Sequence, residues 1–158
     1  MKVKNIIDED FINYKLPSMF ISTSQCSFKC DTECGQAVCQ NLPLATAPII
    51  EISAEQLVKR YLDNDITKAI VIGGLEPFDT MNDLFKVLDA FRAKCDDNIV
   101  IYTGYTEEEL SGIIGCIADK YPNIIIKFGR FIPNYPKHYD EVLGVELASD
   151  NQYAKRIS

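Results

Sequence analysis

Three short apolar runs set the strongest limit on how this chain folds. AIVIGG (69–74), NIVIY (98–102) and NIIIKF (123–128) are continuous and β-branched rather than alternating. Unbroken apolar strands belong to sheets covered on both faces, as in parallel α/β proteins. Between them the pattern turns helical. Met81, Leu84, Phe85, Leu88 and Phe91 recur at helix spacing, as do Leu110, Ile113, Ile114 and Ile117. Ser53 with Gln56 and Thr106 with Glu109 form capping boxes, and Thr80 with Asp83 resembles a third capping pair. MFIST (19–23) and APIIEI (47–52) add two further strands. Strand–helix–strand order at this spacing predicts about four βα units, too few for an eight-fold barrel. The expected fold class is α/β, a parallel sheet with flanking helices, in a single domain over 1–158.

The unusual loops follow strands directly. The cysteines follow MFIST, GGLEPFD follows AIVI, YTGYTEEE follows NIVI, and FGRF follows IIIK. In a parallel sheet such loops share the rim at the carboxyl ends of the strands, where sites form. Four such loops on one rim predict one active site.

The first of these loops, CSFKCDTECGQAVC (26–39), holds four of the six cysteines: Cys26, Cys30, Cys34 and Cys39. The N-terminus MKVKNIIDEDF has acids where a signal peptide carries its apolar core, and no apolar run reaches membrane-spanning length. A cytoplasmic location is therefore expected, where thiols stay reduced and disulfides are rare. The net charge of −7 argues against a nucleic-acid surface and against an anionic membrane patch. Zinc usually takes CxxC pairs or histidine, but no CxxC occurs and His138 lies far along the chain. A helix face would align Cys26, Cys30 and Cys34, yet the segment contains Gly35 and has no apolar stripe. An iron–sulfur cluster, whose usual ligands are thiolates, fits better, with a four-thiol zinc site as its competitor. Cys95 and Cys116 sit in apolar patterns and are expected to be ordinary buried cysteines.

With Cys26-x3-Cys30 after the first strand and Gly73-Gly74-Leu75-Glu76-Pro77 after a later one, the chain resembles the radical S-adenosylmethionine (SAM) enzymes. IYTGYTEEEL (101–110), FGRF (128–131) and DNQYAKRI (150–157) resemble, within that superfamily, the activating proteins of anaerobic ribonucleotide reductases. Two departures stand out. Glu33 occupies the position of the family's third cysteine, and Leu75 is inserted into the Gly-Gly-Glu-Pro pattern. Cys34 is the nearer replacement in spacing. Cys39, in Cys39-Gln40-Asn41, matches the family's Cys-aromatic-Asn better in shape.

The resemblance implies a partial βα barrel carrying a [4Fe–4S] cluster on three of the four thiols, with SAM on the open iron. It assigns Gly73, Gly74, Glu76 and Pro77 to the amino end of SAM and Tyr102 and Gly104 to the adenosine pocket. Arg130 is a candidate carboxylate partner, or else a surface arginine. The implied reaction yields a 5′-deoxyadenosyl radical that removes hydrogen from a glycine on a large glycyl-radical reductase subunit. A flavodoxin-type protein would donate the electron, and no catalytic residue is expected beyond the cluster. Two alternatives stand beside it: a radical SAM enzyme acting on another protein, peptide or small molecule, and a non-enzymatic iron–sulfur or zinc binding module. Glu107, Glu108 and Glu109 read as helix N-terminal charges. GRFIPNYPKHY (129–139) reads as a surface loop containing His138.

Overall fold

The computed structural model describes residues 1–158. In chain order its strands are β1 (Lys2–Asp10), β2 (Ser18–Thr23), β3 (Ile50–Glu51), β4 (Ala69–Gly73), β5 (Asn98–Tyr102), β6 (Ile124–Phe128), β7 (His138–Asp140), β8 (Val145–Leu147) and β9 (Tyr153–Arg156). The helices are α1 (Lys29–Cys34), α2 (Leu42–Thr46), α3 (Ala54–Leu62), α4 (Met81–Arg92) and α5 (Ser111–Lys120). Seven strands form one sheet in the order β3-β1-β2-β4-β5-β6-β9, and β7 and β8 form a separate hairpin.

The expected parallel partial barrel is not what forms. Only the inner strands β2, β4, β5 and β6 run parallel, while β1, β3 and β9 pair antiparallel, so the sheet is mixed. Connection length explains the first reversal. A parallel crossover takes a dozen or more residues, and the link 11–17 between β1 and β2 is too short. β1 escapes a sequence reading because KVKNIIDED is dominated by charge and buries only Val3 and Asp10. The run APIIEI yields just the two exposed residues of β3.

The apolar runs do become fully buried strands. Ile70, Ile72, Ile99, Ile101, Ile124 and Ile126 face α3, α4 and α5 in the larger core. Their alternates Val71, Val100 and Ile125 meet Tyr14, Leu143 and Leu147 on the other face. All three long helices thus lie on one side, and the opposite side is closed by a loop and the β7–β8 hairpin.

The capping box of Ser53 and Gln56 forms as read. Thr106 and Glu109 make both reciprocal bonds as well, although α5 begins only at Ser111. Thr80 makes no capping bond; its hydroxyl donates to Pro77 O, and Glu76 caps the 3-10 turn Pro77–Thr80 instead. The two distant cysteines also differ from expectation. Cys95 is half-buried beyond the end of α4, and Cys116 is exposed because Ile117, one residue on, takes the core-facing direction of α5.

Candidate functional site

The loop after β2 turns sharply at Phe28 (φ 52°), runs through α1, and is ended by Gly35 (φ 65°). Asp31 then shapes the remainder. Its Oδ1 accepts from Val38 N at 2.7 Å and from Cys39 N at 2.8 Å. This clamp folds Cys39 back beside Cys26 and Cys30. All three line one cavity of about 330 Å³ on the hairpin side of the sheet. Cys34 does not line it; it faces a second pocket with Glu33 and Arg130.

The other rim loops converge on the same cavity. Gly74 (φ 77°) lines it, and a Cβ there would meet Leu44 Cδ2 at 2.7 Å and Ser22 Cβ at 3.0 Å. Only a residue without a side chain fits that turn. Gly104 also lines it, close to Glu76 Oε2 and Cys30 Sγ. Glu76 is 6% exposed and joins two loops. Its carboxylate accepts from Phe78 N at 3.1 Å, Thr103 Oγ1 at 2.7 Å and Gly104 N at 2.9 Å. Burial pushes it up to about 7 despite those three bonds. Tyr102 lines the cavity and donates to Asn13 O. Gly73 packs behind the wall against Tyr102, and buried Pro77 opens the 3-10 turn; neither lines the cavity.

Arg130 does not line that cavity but borders a small pocket beside it, shared with Cys26, Cys30, Glu76 and Gly104. Its guanidinium holds Glu109 bidentately, at 2.9 and 2.7 Å. Its Nε stands 3.1 Å from Glu33 Oε1 without the alignment of a hydrogen bond. Hydrogen bonding to Arg130 draws the Glu109 carboxyl down to about 2. Glu109 and Glu107 are therefore ion-pair partners, the latter with Lys155 at 2.6 Å, rather than plain helix-start charges. His138 is half-buried in β7, with Nε2 2.6 Å from Gln152 O.

Lys127 and Asn13 also line the cavity, and sequence reasoning passed over both. A lone lysine within the apolar run IIIKF was the available signal for the first. No local signal marks Asn13. Gln152, noted only for its tail motif, is buried against the same space and donates to Gly129 O. Burial draws Lys127 down to about 8.

The loop thiols are partly buried. Burial pushes Cys26 up to about 11 and raises Cys30, whose shift is offset in part by the Phe131 backbone and Arg130. Metal loading here must release protons. No three His, Cys, Asp or Glu side chains stand close enough to share a single ion. A four-iron cluster takes one thiolate on each of several irons, so its ligands ring a space rather than meet at a point. A donor set of three thiols around one cavity fits that group.

No curated protein and no solved structure matches the chain. The description "4Fe-4S single cluster domain" matches residues 18–139, which include all four loop thiols and every strand from β2 through β6. The chain belongs to that family of 4Fe-4S single cluster domains.

Proposed function

We propose that the chain is an iron–sulfur enzyme that cleaves SAM, with Cys26, Cys30 and Cys39 as the cluster ligands. One observation carries this reading: those three thiols, and not Cys34, line a cavity shared with Gly74, Glu76 and Gly104. Three thiolates leave one iron open, as catalytic metal sites keep one position free for substrate. A reduced cluster supplies the single electron that breaks a sulfonium carbon–sulfur bond. The chain's own residues supply position and dryness: Gly74 and Gly104 allow close approach, Glu76 faces a ligand ammonium, and Tyr102 walls the pocket.

The more specific reading is activation of an anaerobic ribonucleotide reductase by forming a glycyl radical on its large subunit, with a flavodoxin-type protein as electron donor. The likeness of IYTGYTEEEL, FGRF and DNQYAKRI to the activating proteins supports it. So does the cavity lining at Ile12, 77% exposed and next in the chain to Phe11, 63% exposed, an apolar surface suited to a protein loop.

The test is anaerobic reconstitution with iron and sulfide, then reduction and electron paramagnetic resonance with and without SAM. The parent should give a reduced-cluster signal that SAM perturbs. Cys39→Ala should lose it, and Cys34→Ala should retain it. Stoichiometric zinc with no cluster defeats the reading. A SAM-responsive cluster that raises no organic radical on the large reductase subunit defeats only the activase assignment.

A further inference from the structure

α1 carries Cys30 and ends on Cys34, yet it buries no residue. A helix of six residues with nothing in the core has little of its own to hold it in place. Its entry is strained as well, because Phe28, a bulky side chain, sits at φ 52°. What anchors it is charge. Lys29 and Glu33 stand one helical turn apart on α1. Lys29 Nζ lies 3.2 Å from Glu109 Oε1 and 4.3 Å from the centre of the Tyr105 ring. Glu33 Oε1 lies 3.1 Å from Arg130 Nε. Glu109 and Arg130 follow β5 and β6 and hold each other bidentately, so Arg130, the candidate carboxylate partner from sequence, already has one. The four charges alternate in sign along one network. Its inner member, Arg130, has a side chain only 9% exposed, whereas Lys29 and Glu33 are 44% and 58% exposed. Salt screens exposed pairs far more than buried ones. It should therefore loosen α1 while leaving the two rim loops joined.

We propose that Lys29 and Glu33 are positioning residues that latch the thiol loop to the rim by charge, keeping Cys30 at the cavity and making the loop's grip on its cluster sensitive to salt. Glu33, which stands where a third cysteine would, then serves the site through Arg130 rather than through iron. The assignment rests on the three-thiol cluster site of the proposed function and not on SAM cleavage.

The experiment is hydrogen exchange of the full chain, cluster-free and cluster-loaded, read by mass spectrometry on the peptide 26–41. Beside it runs the rate at which a chelator strips iron from the loaded protein. The amides of Asp31, Thr32, Val38 and Cys39 are hydrogen-bonded within that peptide and report its opening. Raising sodium chloride from about 0.05 M to about 1 M should speed their exchange about two- to fivefold, with the peptides of α4 unchanged. Lys29→Met combined with Glu33→Gln should show the faster rate already at low salt and lose the response to salt. Lys29→Arg keeps the charge and should match the parent. Iron release should follow the same order. Exchange that neither salt nor the paired substitution moves overturns the latch alone, as does faster exchange that spreads to α4. Faster exchange of the loop with unchanged iron release overturns its role in holding the cluster. A chain that takes up no cluster overturns the proposed function and this assignment with it.

Discussion

At Gly74 the backbone takes φ 77° directly beside Leu44 and Ser22, so its lack of a side chain decides both stability and site shape. Gly74→Ala should cost about 1–3 kcal/mol in urea unfolding from left-handed strain and crowding. It should also push the Leu44 segment away from the cavity wall. Glu109 acts by charge. Its carboxyl is held at about 2 against an ordinary 4.5, so its stabilisation is complete above pH 4.5 and is lost as pH falls toward about 2. Because Glu109 is a third exposed, we expect about 1 kcal/mol at pH 7 after allowing for solvent screening. Urea titrations of Glu109→Gln and parent should differ by that amount at pH 7 and converge near pH 2. Thr80 and Glu76 show why single residues mislead a sequence reading. Thr80 has the type of a cap and makes no capping bond at α4, whereas Glu76 caps the preceding 3-10 turn while its buried carboxylate also takes donors from Thr103 and Gly104 across the rim. Such distant partners leave no trace in local spacing.

Among the elements, α4 rests on Phe91, fully buried and edge-on to Tyr61 of α3 with ring centroids 5.5 Å apart. Phe91→Ala should cost about 3–5 kcal/mol in equilibrium unfolding, since the ring is held by two packed layers that cannot collapse into the gap. The elements whose pattern matched their burial were legible: β4, β5, β6, α3 and α4. β1 and β9 were not. Their residues alternate charge with modest apolarity, and their direction depends on loop length and on which neighbour is left unpaired. The antiparallel flanks are the feature that turned an expected parallel sheet into a mixed one. α1 is the intermediate case. Gly35 counted against a helix in this loop, yet a short one forms over Lys29–Cys34 with Gly35 just past its end, and the clamp by Asp31 that brings Cys39 home is a contact between side chain and backbone that spacing does not announce.

For the whole molecule, a cluster bound to the folded state alone must stabilise it. Anaerobic loading should raise the melting temperature by at least about 5 °C over the apo protein, at roughly 2–4 °C per kcal/mol for a domain of this size. Removing the cluster with oxygen and chelator should reverse the gain, as followed by calorimetry. The convergence of four rim loops was legible because parallel strands force it. The closing wall was not, since it comes from the far ends of the chain: Asn13 on one side, Val145 through Ala148 and Gln152 on the other. That distribution has a consequence for biosynthesis. A nascent chain that has emerged only as far as β6 already exposes every thiol of the loop, but has nothing yet to roof the space between them. The pocket is completed only once residues 145–152 have followed β6, so the thiols are open to cofactor loading before the site is roofed.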